Sequence, residues 1–208
     1  MGLLRVRIEL VDQPGALAGV AAVLAGLGVD VASVDVLEVD GSTVVDELLL
    51  RLPPGVEPGE VEDALRLGGA LEVLSSKVDS PSGDATVRAM ELVGSVLGAP
   101  GDADAPGRGL ARLAYADSGM LLDVGEASRF PLARRALEGG VPASGRAGPD
   151  ASPLAAVSGW IMWVAPAVAQ PQQLAVVSRR LDVRFSATEA ARMRAFATVL
   201  EVLARVPG

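Results

Sequence analysis

Asp12, Pro14 and Gly15 fall within four residues in the run Val11-Asp12-Gln13-Pro14-Gly15-Ala16-Leu17, where a strand-like segment gives way to a helix-like one. This combination suits holding a small charged molecule. A proline at the first helical positions has no N–H to leave unpaired, and a glycine lets another backbone or a ligand come close. The first-turn N–H groups are then expected to be free for an anion such as a carboxylate. Bond-breaking chemistry has much less to rest on. The chain has no histidine and no cysteine, which removes the commonest general base, a thiolate nucleophile and the commonest transition-metal ligands. It has no Gly-x-Ser-x-Gly elbow, phosphate loop or dinucleotide fingerprint. Asp46 and Glu47 are paired carboxylates, but neighbours on a strand point to opposite faces and cannot flank one bond. The chain therefore reads as a protein that is not an enzyme, with no metal and no cofactor.

The elements that must position this turn can be read from hydrophobic spacing. Leu4-Arg5-Val6-Arg7-Ile8-Glu9-Leu10 alternates at period two and predicts a strand over 3–10. Leu17, Val20, Ala21, Leu24 and Leu27 recur at helical spacing and predict a helix over 14–27. A strand over 29–39 follows, then Asp40-Gly41-Ser42 as a hairpin turn into a strand over 43–52. Pro58 near its start and Gly68-Gly69 at its end bound a helix over 58–67, and a last strand covers 70–78. This order is the split βαβ or ferredoxin-like arrangement, an antiparallel sheet with both helices on one face.

Ser80-Pro81-Ser82-Gly83 reads as a linker, dividing the chain into domains at 1–79 and 85–208 with 80–84 between them. Charge divides it in the same place. Residues 1–80 carry 14 acidic and 5 basic side chains, whereas 81–208 carry 12 and 13. No basic stripe is available for phosphates, so nucleic acid is not an expected partner. In the second part, Asp84 can cap a helix with an apolar stripe of Val87, Met90, Val93 and Leu97. A Gly-rich loop is expected at 99–109, strands at 110–116 and 119–124, a helix at 131–137 and a second loop at 139–153. Strands over 157–165 and 173–180 lead to a final helix whose start is marked by the capping-box spacing Ser186-Ala187-Thr188-Glu189. Met193, Phe196, Leu200 and Leu203 mark its buried face. Trp160 and Trp163, three apart in a strand, are expected on opposite sides of the sheet. The arginines Arg179, Arg180, Arg184, Arg192 and Arg194 either read an acidic ligand or form a solvated or ion-paired face.

Residues 3–79 resemble an ACT domain, a small regulatory module that binds amino acids in metabolic enzymes. The resemblance rests on Asp12-x-Pro14-Gly15-x-Leu17 followed by Leu24-x-x-Leu27-Gly28-Val29-Asp30-Val31. It implies a ligand site made by Asp12, Gln13, Gly15, Ala16 and Leu17 on the first loop with Asp30, Val31 and Ala32 at the second strand, at an interface of two such domains. An amino acid's carboxylate would meet the first-turn amides and its ammonium would lie near Asp12 or Asp30. Residues 84–206 are similar to a GAF domain through Trp160-Ile161-Met162-Trp163-Val164-Ala165-Pro166, Leu174-Ala175-Val176-Val177-Ser178 and the Arg184 to Glu189 entry to the last helix. Together the resemblances imply an α+β regulatory protein acting as a homodimer, which senses an amino acid or similar metabolite and uses its GAF-like part for dimerisation or output. A scaffold, or a regulatory subunit of a separately encoded enzyme, acting through protein contacts alone is the alternative. No stretch of about 18 apolar residues appears and the start lacks a signal-peptide pattern, so no membrane association and a cytoplasmic location are expected.

Overall fold

The computed structural model describes residues 2–77, 85–148, 150–154, 159–180 and 183–206. The expected linker at 80–84 and the cap at Asp84 lie outside the described residues. The chain is α+β and divides into two compact units, Met1–Ala85 and Thr86–Gly208, each with an antiparallel four-stranded sheet. No described helix is long and apolar enough to cross a membrane.

The first unit runs β1 (Gly2–Val11), α1 (Ala16–Gly26), β2 (Asp30–Asp40), β3 (Thr43–Leu52), α2 (Pro58–Leu67) and β4 (Glu72–Lys77). Its strands lie in the order β2-β3-β1-β4. The period-two pattern of β1 sends Leu4, Val6, Ile8 and Leu10 to one face, where Leu48, Leu50 and Leu52 of β3 join them. Val20 and Leu24 of α1 and Val61 and Leu65 of α2 close this core from above. The two helices meet through glycine: a Cβ on Gly19 would stand 2.7 Å from the Gly68 carbonyl oxygen. On the other face of the sheet, the Arg5 Nη1 donates to Glu47 Oε1 at 2.9 Å in a buried ion pair. Helix α1 starts two residues later than its hydrophobic spacing predicts. Pro14 stays in the turn, and Gly15 caps the helix with φ +93°, a left-handed conformation in which a Cβ is strained.

The second unit contains α3 (Ala85–Leu97), α4 (Ala105–Leu113), β5 (Ser118–Asp123), α5 (Val124–Ala127), α6 (Pro131–Gly139), β6 (Ala143–Arg146), β7 (Trp160–Val164), β8 (Gln173–Arg179) and α7 (Ala187–Ala204). The sheet order is β5-β8-β7-β6, and both its faces are covered. Met162, Val164, Ala175 and Val177 face α4 and α7, while Ile161, Trp163, Leu174 and Val176 face α5 and α6.

Four expectations for this unit are corrected. Residues 105–113 form a helix where the sequence pattern predicts the end of a loop and the start of a strand. The glycines that suggest a loop are contact points: a Cβ on Gly107 would stand 2.2 Å from the Gly119 carbonyl oxygen, and one on Gly109 would stand 2.7 Å from the Phe196 ring. The loop expected at 139–153 contains β6, paired to β7 from Ala143↔Trp163 to Arg146↔Trp160. In the α3 stripe only Val93 is buried, because α3 packs through Ala89, Leu92, Val93 and Val96 and leaves Val87, Met90 and Leu97 exposed. Leu203, near the end of α7, is exposed as well. The capping box is present, with the Glu189 N–H donating to Ser186 Oγ at 3.1 Å and the Ser186 N–H to Glu189 Oε2 at 2.7 Å.

Candidate functional site

The β1–α1 turn is held at the end of the sheet by backbone hydrogen bonds. The Asp12 N–H donates to the Ser42 carbonyl at 2.8 Å, tying the turn to the β2–β3 hairpin, and the Gln13 N–H donates to the Val11 carbonyl at 2.9 Å. Asp12, Gln13, Pro14 and Gly15 are exposed, Leu17 is 43% exposed, and Ala16 packs partly against the core. A Cβ on Gly15 would meet nothing within 4 Å, so this position is open to solvent. The first-turn amides are less free than the sequence predicts. The Ala16 N–H donates to Gln13 and those of Ala18 and Gly19 donate to Gly15, which leaves the Leu17 amide without an acceptor among the described residues.

The other three expected residues lie elsewhere. Asp30 and Val31 open β2, and Ala32 sits where the β2–β3 register shifts between Val31 and Ser33. Val11 pairs with Thr43 and Asp30 pairs with Arg51, at opposite ends of β3. At a rise of about 3.3 Å per residue, the two parts of the expected site stand roughly 26 Å apart in one chain. Asp30 is also occupied, since Arg51 Nη1 donates to its carboxylate at 2.7 Å in an exposed ion pair. One chain therefore brings Asp12, Gln13, Gly15, Ala16 and Leu17 together and does not bring Asp30, Val31 and Ala32 to them.

Asp46 is not among the expected site residues. It pairs across the strands with Ile8, and directly opposed residues share a face, so its side chain lies on the helix-covered side of the sheet. Its carboxylate is fully buried, and neither oxygen has a hydrogen-bond partner. Burial pushes its pKa above the ordinary carboxylate value, and the negative charge of Asp12 pushes it further the same way. The signal was present in the strand pattern, where Asp46 takes the position of an apolar residue in the series Val44, Asp46, Leu48, Leu50, Leu52. As expected, Asp46 and Glu47 face opposite sides of the sheet.

In the second unit, the arginine cluster has a structural member. Arg179 is fully buried at the end of β8, with Nη2 donating to Glu189 Oε1 at 2.7 Å and Nη1 to the carbonyls of Val183 at 3.2 Å and Arg184 at 3.1 Å. Nε donates to the Tyr115 carbonyl at 3.1 Å, Nη2 also reaches the Ala114 carbonyl, and the guanidinium lies over the Phe185 ring. Trp163 is core, stacked on Phe130 with its indole N–H donating to the Ala151 carbonyl, while half-buried Trp160 carries the guanidinium groups of Arg146 and Arg184. No group of three or more acidic, histidine or cysteine side chains among the described residues could hold a metal.

No family model matches the chain, and no curated protein matches it. Among solved structures it is similar to GqqA, described as a novel type of quorum-quenching acylase, at 21% identity and a TM-score of 0.30 over 35% of this chain. The chain spans only 27% of that acylase. The C-terminal domain of MgtC from Mycobacterium tuberculosis matches 40% of this chain and 95% of its own at 11% identity, with a TM-score of 0.33. A protein described as unknown from Galdieria sulphuraria matches 84% of this chain and 78% of its own, also at 11% identity, with a TM-score of 0.34.

Proposed function

We propose that the chain is a regulatory protein, not an enzyme, whose first unit is an ACT-like domain binding an amino acid or similar small metabolite at the β1–α1 turn. The observation that carries this reading is the Gly15-capped turn itself. Gly15 holds a left-handed conformation with open space around it, the Leu17 amide lacks an acceptor among the described residues, and Asp12 supplies an exposed carboxylate in the same turn. A helix start with an available N–H and a nearby carboxylate offers complementary partners to the two charges of a zwitterion. Asp30, Val31 and Ala32 join such a site only when a second copy supplies them, and the reading therefore includes a homodimer. The GAF-like second unit then serves dimerisation or output, and ligand binding biases two arrangements by its differential affinity for them.

A thermal-shift screen of the full chain against the proteinogenic L-amino acids tests this. Ligand at about 100 times its dissociation constant adds about 2.7 kcal/mol of stability, and Gly15→Val is expected to abolish the response. No shift with any amino acid overturns the sensor reading. The exposed α3 residues Val87, Met90 and Leu97 favour the second reading, a scaffold working through protein contacts. A scaffold keeps its oligomeric state in Gly15→Val and shows no amino-acid response in the native chain.

A further inference from the structure

We propose that Asp46 is the group that takes the ligand's primary ammonium, so that the site selects amines over deaminated analogues of the same shape. This rests on the reading of the β1–α1 turn as a ligand site.

Two features of the fold carry it. The β1–β3 register puts Asp46 on the helix-covered face opposite Ile8, two pairs before Leu10↔Val44, and the turn leaves β1 after the next pair, Val11↔Thr43. Its charge environment includes Asp12, the exposed carboxylate of that turn. Second, the carboxylate is fully buried with both oxygens unpartnered, a state that costs several kcal/mol when the group is ionised and uncompensated. An apolar side chain would fill the same position without that cost. A primary ammonium offers what the site lacks: three N–H donors and one positive charge, facing two acids. A carboxylate or a neutral hydroxyl ligand supplies no such compensation.

Asp46 has no contact with solvent, so a ligand reaches it only when its cover opens. The side from which a ligand would approach is exposed. Gln13, Pro14 and Gly15 are exposed, Gly15 has no neighbour that a Cβ would touch, and Val36, which pairs with Asp46 from β2, is 61% exposed. Association is accordingly expected below the usual 10⁵–10⁷ M⁻¹s⁻¹, as when binding requires a conformational change.

The test uses the full chain and calorimetry with three matched probes for each L-amino acid that binds: the amino acid, its 2-oxo acid and its decarboxylated primary amine. The expected result is that the 2-oxo acid binds at least about 100-fold more weakly, because it leaves a buried charge unpaired, while the amine retains measurable binding. Asp46→Asn is expected to lose affinity by a similar factor with an unchanged circular dichroism spectrum. A 2-oxo acid that binds as tightly as the amino acid overturns the proposal, as does an Asp46→Asn variant of unchanged affinity. If either occurs while Gly15→Val still abolishes binding, the site reading survives and only the role of Asp46 fails. If no amino acid binds the native chain, both fail. Should Asp46→Asn not fold, the comparison of amino acid and 2-oxo acid in the native chain decides alone.

Discussion

Both units contain buried ion pairs, Arg5–Glu47 in the first and Arg179–Glu189 in the second. The first also buries a lone acid, Asp46, and that acid and the Arg179–Glu189 pair are treated in opposite ways. In the second unit Arg179 and Glu189 neutralise each other, and the guanidinium also donates to four backbone carbonyls while Glu189 closes the cap of α7. In the first unit Asp46 is likewise closed off from solvent, and neither of its carboxylate oxygens has a hydrogen-bond partner. A fully satisfied pair is a fastener: it pins the end of β8, the Ala114–Tyr115 segment and the start of α7 to one another. An unsatisfied acid fastens nothing, and its presence in a core position points to a role outside folding. Removing one member of the pair and removing the lone acid should therefore change stability in opposite directions.

The largest effect is expected at Arg179. Arg179→Met leaves Glu189 as an uncompensated buried charge, which costs about 3–5 kcal/mol, whereas the double variant Arg179→Met with Glu189→Leu should recover part of that loss. Tryptophan fluorescence during urea unfolding measures it cleanly, since both tryptophans lie in the second unit. If the single variant costs under 1 kcal/mol, the pair does not fasten these segments together.

Asp46→Leu reverses the sign. An uncompensated buried charge costs several kcal/mol, and the bulkier leucine continues the apolar series Leu48, Leu50 and Leu52 of the same face. The first unit has no aromatic residue, so hydrogen exchange of the β1 and β3 amides is the appropriate measurement. Slower exchange in the variant is expected. Faster exchange would mean that Asp46 stabilises the unit and would remove the contrast between the two cores.

The same contrast can be drawn with pH. Burial and Asp12 raise the Asp46 pKa in the folded chain above its unfolded value, so the folded state binds the proton more tightly. Its penalty is absent below the unfolded value, grows as pH rises through the raised folded value and is complete above it. Hydrogen exchange in the first unit should therefore slow on acidification across that window, by the slope of at most one proton. Asp46→Leu should remove that component. Glu201 runs the other way in the second unit: Arg205 and the N–H groups of Gln172 and Gln173 outweigh the cost of its burial and hold its pKa below the ordinary value. Its contribution is present at neutral pH and is lost as pH falls through the lowered value.

How much of this was legible depended on how far apart in sequence the interacting residues lie. The first unit's elements follow from local signals, namely period-two alternation in β1, the Asp40-Gly41-Ser42 turn and the Pro58 and Gly68 boundaries of α2. Asp46 is legible too, as the one acid in the apolar phase of β3, but its lack of a partner depends on what the fold packs around it. Helix α4 was not, because Gly107 and Gly109 read as loop residues until Gly119 and Phe196 are known to press against them. Arg179 reads in the sequence as one of five arginines that either take an acidic ligand or form a solvated or ion-paired face, since the Ala114 and Tyr115 carbonyls it meets lie more than sixty residues away. The separation of Asp12 from Asp30 was hidden for a related reason: both flank α1 in the chain, but strand direction sends them to opposite ends of the sheet.

The smallest effect tests whether an exposed pair of the first unit behaves differently from its buried acid. Asp30 and Arg51 are about half exposed, and ion pairs of that kind contribute about 0–1 kcal/mol. Arg51→Ala should therefore leave hydrogen exchange in β2 and β3 nearly unchanged while freeing the Asp30 carboxylate. If Asp30 contributes to a ligand site in a dimer, that freed charge should alter amino-acid affinity with little change in stability. Asp46→Leu, by comparison, should change both. An Arg51→Ala variant that keeps native affinity would exclude Asp30 from the site and leave the β1–α1 turn and Asp46 to form it alone.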